Sequence, residues 1–82
     1  MIKIEFDKVN NKSLAYDENI KIGECEFIEN KETWNIIHTE VDNKYQGQGI
    51  ARKLVERIIE EAKKYDKILI AECSYAIKIL NE

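Results

Sequence analysis

With 82 residues, a net charge of −3 and 35% charged side chains, this chain has room for one small hydrophobic core and carries no excess of basic residues. Nucleic acid is excluded as a natural partner, because phosphate neutralisation dominates such binding, and a cationic partner fits the charge better. No apolar run reaches the length of a membrane span, so no membrane association is expected.

Ile2, Ile4 and Phe6 alternate with Lys3 and Glu5, the period of a strand with one wet face, so no secretory signal is expected there. A turn at Asn10-Asn11-Lys12 leads to a short second strand over residues 13–16, and Asp17-Glu18-Asn19 turns again. Residues 20–28 form a third strand, with Gly23, Cys25 and Phe27 on one face and Ile22, Glu24, Glu26 and Ile28 on the other. Glu29-Asn30-Lys31-Glu32 closes a hairpin into the fourth strand, residues 33–41, whose period places Trp34, Ile36, His38 and Glu40 on one face and Ile37, Thr39 and Val41 on the other.

From residue 49 to 65 the period changes to that of a helix. Ile50, Ala51, Leu54, Val55, Ile58, Ile59 and Ala62 form its apolar stripe, opposite a face that includes Arg52, Glu56, Arg57, Glu60 and Glu61. Residues 67–71 read as a short apolar strand that must be buried, and residues 75–80 as a terminal helical turn or two. The order predicts an α+β fold: an antiparallel four-stranded sheet, a crossover helix, a fifth strand parallel to the fourth, and a short C-terminal helix. No linker or repeat interrupts it, so residues 1–82 are expected to form one domain. Cys25 and Cys73 stand far apart with no CxxC or histidine pairing, which predicts neither a disulfide framework nor a zinc site and suits the cytoplasm. The small core makes either a monomer or a weak homodimer the expected state.

The turn between the fourth strand and the helix, Gln46-Gly47-Gln48-Gly49-Ile50-Ala51, is the most informative stretch. A glycine-rich turn feeding a helix presents backbone N–H groups without internal partners at the positive end of the helix dipole, a ready site for phosphate. A P-loop would place lysine and a hydroxyl residue after the last glycine, where Ile50 and Ala51 stand. A dinucleotide fingerprint would place glycine where Arg52 stands, although Glu72 falls at the distance of a ribose-binding acid.

Gln46-x-x-Gly49-x-Ala51 instead resembles the Q/R-x-x-G-x-G/A signature of the GCN5-related N-acetyltransferases, which grip the pyrophosphate of acetyl-coenzyme A. With His38-Thr39-Glu40-Val41 before the loop, Ala51-Arg52-x-Leu54-Val55 after it and Ala71-Glu72-Cys73-Ser74-Tyr75 beyond, residues 12–80 resemble its small single-domain YjdJ-type members. The resemblance implies a truncated form of that fold, without the helices usually found between the first two strands and without the closing hairpin, which normally build the acceptor site. It implies that the fourth and fifth strands splay apart and that the pantetheine arm pairs with the fourth strand along Thr39, Glu40 and Val41. The pyrophosphate would then rest on Gln46, Gly47, Gln48, Gly49, Ile50 and Ala51.

Acyl transfer to an amine needs a base for its proton and an acid or nucleophile beside the thioester. His38, the only histidine, and Glu40 are candidate bases, against the simpler roles of a structural histidine and a solvated carboxylate. Cys73 ends the last strand where the gap and the thioester should meet, which makes it a candidate nucleophile or thiolate acid, against the simpler role of a small buried side chain. Tyr75 is an alternative acid or a cover for the helix, and Cys25 is read as core. Two accounts follow: an acetyltransferase acting on a small or protein-borne amine, and a non-catalytic acyl-CoA-binding module that lost its acceptor site.

Overall fold

Alternating patterning in the first half of the chain builds a meander, and the single long amphipathic segment covers it. The computed structural model describes residues 1–82 and contains β1 (Ile2–Asp7), β2 (Lys12–Asp17), β3 (Ile20–Glu29), β4 (Thr33–Val41), α1 (Ile50–Lys64), β5 (Ile68–Ala71) and α2 (Ser74–Leu80). Sequential antiparallel pairing gives the order β1-β2-β3-β4-β5, with β5 parallel to β4 because α1 carries the chain back across the sheet. This is the α+β arrangement expected from the sequence. No helix is long and apolar enough to cross a membrane.

Both helices contribute to one core on one face of the sheet. Ile50, Leu54, Val55, Ile58 and Ala62 of α1 and Ala76 and Ile79 of α2 join Ala15, Cys25, Phe27, Trp34 and Ile36 of the strands. Phe27 and Trp34 stack at 4.3 Å between ring centroids, and Phe6 extends the stack at 6.1 and 5.9 Å from each. The fully buried Ser13 donates to the Leu54 carbonyl at 2.8 Å and so fixes β2 against α1. Glu61 departs from the expected solvent-facing helix surface. It is buried, and Arg57 and Lys64 approach it at 3.1 and 3.4 Å, while the Arg57 guanidinium also donates to the Ile4 carbonyl at 3.0 Å.

Three local expectations are corrected. β5 is not buried on both faces: Ile68 and Ile70 are 61% and 45% exposed, because no element covers the second face of the sheet. In β3 the register with β2 shifts between Ala15 and Tyr16, which leaves Ile22 without a direct partner, and Ile22 is buried along with Gly23, Cys25 and Phe27.

The third correction bears on the site. Glu26 pairs with His38 but the next residue, Phe27, pairs with Ile36, so Ile37 is an extra residue in β4. One extra residue inverts which side chains face inward. Trp34 and Ile36 lie in the core before the bulge. After it Thr39 turns inward to Cys25 and Val41 packs on the core, while His38 and Glu40 are exposed. His38 and Glu40 therefore share a face with each other but not with Trp34 and Ile36.

Candidate functional site

The site forms where β4 runs on past the end of β5. Below that point the two strands pair from Thr33 with Ile68 up to Ile36 with Ala71. The Ile36 carbonyl then accepts from the N–H groups of both Glu72, at 2.9 Å, and Cys73, at 3.2 Å, and the chain turns away into α2. β4 continues to Val41, so its edge over residues 37–41 has no strand beside it and a gap opens between the two.

At the far end of β4 the chain turns through a 3-10 turn, Asn43–Tyr45, capped by Asp42, whose carboxylate accepts from the Lys44 N–H at 2.9 Å. The Tyr45 hydroxyl donates to the Asp17 carboxylate, which pins the turn to the end of β2. Gly47 and Gly49 then adopt φ of +81° and +75°, the left-handed region that favours glycine. Gly49 caps α1 with no side-chain hydrogen bond. A Cβ built at either glycine would meet nothing within 4 Å, so backbone angle and not crowding selects glycine in the free protein.

The hydrogen-bond inventory of this turn defines its chemistry. Gln46 gives its N–H to the Asn43 carbonyl at 3.3 Å, so this group, expected to face the ligand, is occupied. The N–H groups of Gly47, Gln48, Gly49, Ile50, Ala51 and Arg52 find no acceptor in the protein, and Lys53 to Gly49, at 3.2 Å, is the first bond of the helix. Successive unbonded N–H groups at the start of a fifteen-residue helix make a site suited to an anion. A cleft of about 220 Å³ adjoins them, lined by Val41, Tyr45, Gln46, Ile50, Ala51 and Tyr75. Tyr75 of α2 lines this cleft together with Ile50 and Ala51 at the start of α1. A larger polar cleft of about 430 Å³ lies around the ends of β3 and β4, with Lys21, Glu24, Glu40 and Asp42 in its lining.

Cys73 stands at the start of α2, with its sulfur 3.5 Å from the Thr39 hydroxyl across the gap. Partial burial raises its pKa, but hydrogen bonding with the Thr39 hydroxyl and with the N–H groups of Ala76, Tyr75 and Thr39 outweighs burial and holds the thiol below its ordinary value. On the other side of the same hydroxyl lies Cys25, at 3.4 Å. Burial dominates there and pushes its thiol up to about 12. His38 Nε2 and Glu40 Oε1 approach to 3.4 Å on the exposed face. The structure therefore brings Cys73, Thr39 and Cys25 together on the helix side, and His38 with Glu40 on the open side. It gives Cys73 no contact with His38.

The side-chain placement of Thr39 and the anchoring role of Tyr45 were missed by sequence reasoning. The signal for Thr39 was present: two adjacent isoleucines, Ile36 and Ile37, break the strand's alternation where the bulge occurs. The Tyr45 to Asp17 contact joins distant segments and left no local signal.

A family model described as GCN5-related N-acetyl-transferase matches residues 12–82. Among curated proteins none matches significantly in sequence. The solution structure of a GCN5-like protein from Staphylococcus aureus is 31% identical, with 96% of this chain and 78% of that chain covered and a TM-score of 0.73. A GNAT family acetyltransferase from Elizabethkingia anophelis, solved with acetyl-CoA bound, is 28% identical over 85% of this chain and 49% of its own, with a TM-score of 0.69. The ribosomal-protein-alanine N-acetyltransferase from Brucella melitensis biovar Abortus 2308 is 18% identical, covers 85% of this chain and 59% of its own, and has a TM-score of 0.68, a likeness of fold alone. The chain thus spans less than two thirds of the length of these last two proteins.

Proposed function

This chain belongs to the GCN5-related N-acetyltransferase family, and from that premise we propose that residues 1–82 act as one acyl-CoA-binding domain that moves an acetyl group from acetyl-CoA to an amine. The observation that carries the proposal is the row of unbonded N–H groups from Gly47 to Arg52, beside a cleft lined by Val41 at the end of β4 and by Tyr75. Diphosphate binding along that row directs the pantetheine arm toward Thr39, Glu40 and Val41 and the thioester toward Cys73.

In this reading the Cys73 thiolate attacks the thioester carbonyl, a Cys73 S–acyl bond forms, and the CoA thiolate departs. The acceptor amine then attacks the acyl carbon from the open side. His38, held by Glu40 at 3.4 Å, takes the amine proton, and the Cys73 thiolate leaves. The lining of the neighbouring cleft holds three carboxylates, Glu24, Glu40 and Asp42, against Lys21, which suits a protonated amine approaching from solvent.

Incubation with acetyl-CoA followed by intact-protein and peptide mass spectrometry tests the covalent step, and calorimetry with CoA tests binding. We expect an acetyl adduct on Cys73. In Cys73→Ala, CoA affinity should be retained while release of free CoA in the presence of amine falls by about 10²-fold or more. Retained turnover in that variant would refute the nucleophile role. CoA binding with no turnover in the parent, over a panel of amines, would instead support a non-catalytic acyl-CoA-binding module.

A further inference from the structure

The sequence marks Thr39 for its backbone and Cys25 for its bulk, yet the bulge at Ile37 gives both side chains a common task. The Thr39 hydroxyl oxygen lies 3.4 Å from the Cys25 sulfur and 3.5 Å from the Cys73 sulfur. A hydroxyl offers one proton and two lone pairs, so it can accept from one thiol while donating to the other. We propose that Thr39 is a positioning residue for Cys73: its hydroxyl accepts from the Cys73 thiol and, once that thiol ionises, turns to donate to the sulfur, with the buried Cys25 thiol behind it. The proposal rests on the reading of Cys73 as the acyl-accepting group and names what prepares it.

The direction of the relay follows from the environments of the two thiols. Cys25 has no solvent exposure and stays protonated, so it keeps an S–H that it can give to Thr39. Its sole hydrogen-bond partner is Thr39. A Cys73 thiolate has no proton to give, so the Thr39 hydroxyl becomes the donor between them, and a Cys25 S–H on its free lone pair strengthens that bond. Cys73, partly exposed beside the gap, is the end of the chain where negative charge can form.

No charged side chain sets this thiol directly. On β3, Glu24 acts on Cys25 and is itself bonded to Lys21 and Lys12. On β4, His38 and Glu40 lie on the opposite face and pair with each other. Glu72 at the end of β5 is exposed, Tyr75 of α2 lines the loop cleft, and Arg52 of α1 is taken up by Glu82. The preparation of Cys73 thus comes from neutral donors, unlike a cysteine activated by an adjacent imidazolium.

The test reads the thiol itself, in the full chain and without acetyl-CoA. The rate of Cys73 alkylation by iodoacetamide is followed against pH, with the modified site identified by peptide mapping. Replacing the hydroxyl in Thr39→Val removes the donor while keeping the branched shape. The midpoint of the profile should rise by about one pH unit, the worth of one hydrogen bond to a charged sulfur. At neutral pH the tenfold loss of thiolate is offset about threefold by its greater intrinsic nucleophilicity, leaving alkylation about threefold slower. Thr39→Ser should restore the parental midpoint. Cys25→Ala should move it in the same direction as Thr39→Val but less.

Circular dichroism verifies the fold of each variant, and Thr39→Ala takes the place of Thr39→Val should the latter unfold. An unchanged midpoint in the folded hydroxyl-deleted variant overturns the proposal. So does a serine variant that behaves like the valine or alanine one, because a role in packing alone would not depend on the hydroxyl. These outcomes stand whether or not the protein transfers acetyl groups. Failure of the acetyl-transfer reading appears instead as missing CoA binding or a missing Cys73 adduct in the parent.

Discussion

Replacing Gly49 separates the phosphate-cradle reading from an ordinary strand-to-helix turn. Its φ of +75° lies in the left-handed region, where a β-branched residue is strained by about 1–3 kcal/mol, whereas asparagine visits it at much lower cost. Because a Cβ at position 49 meets no atom within 4 Å, neither change crowds the free protein. Gly49→Asn should therefore keep a thermal midpoint close to the parental one, while Gly49→Val loses several degrees. Both place a side chain where the N–H row meets its ligand. If two charge-assisted hydrogen bonds to the diphosphate are lost, at about 1.5–3 kcal/mol each, affinity falls by at least about 10²-fold, since each tenfold is about 1.4 kcal/mol. Calorimetry with CoA, run beside a thermal melt and the surface change Lys63→Ala, measures both effects. Parental affinity in a folded Gly49→Asn would refute the cradle.

Two further predictions concern the scaffold. Ser13→Ala removes the bond to the Leu54 carbonyl at 2.8 Å in a fully buried setting and should cost about 1 kcal/mol in urea unfolding; a cost indistinguishable from zero would show that this contact does not fix β2 to α1. Cys25 is held protonated in the fold up to about 12 against an ordinary 9.0, so the unfolded chain loses this proton first as pH rises. Its contribution to stability is complete below pH 9 and is lost between about 9 and 12. The parent should therefore destabilise more steeply than Cys25→Ala across that window in denaturant titrations, and parallel curves would contradict the buried-thiol assignment.

The legible part of this protein was whatever follows from period and turn chemistry. β4 is found at Thr33–Val41 as predicted, and α1 starts directly after Gly49, because alternation, a helical stripe and paired glycines are local properties of the chain. The loop's donors were legible for the same reason, apart from Gln46, whose N–H the preceding 3-10 turn consumes. Burial of β5 was misjudged because four apolar residues in a row fit a two-sided strand, and a strand's second face depends on elements elsewhere in the chain. The contact of Cys73 with Thr39 depends on the register shift between β3 and β4, and register is a relation between strands that no single segment displays.

That shift nevertheless has a cause in the composition of β4. Continued period-2 geometry would carry His38 and Glu40 inward after Trp34 and Ile36, onto the face that packs against the apolar core. Burying such groups unpaired costs several kcal/mol, whereas a bulge leaves one residue, Ile37, outside the pairing. The cheaper solution exposes His38 and Glu40 and turns Thr39 and Val41 inward. Val41 then completes the apolar packing, and Thr39 is the one inward side chain on this stretch that carries a proton to share. The displacement that spares the core a buried carboxylate is thus the same displacement that sets a hydroxyl between Cys25 and Cys73. It also divides the two chemistries of the gap, thiol on the helix side and imidazole with carboxylate on the open side, where an incoming amine would meet them.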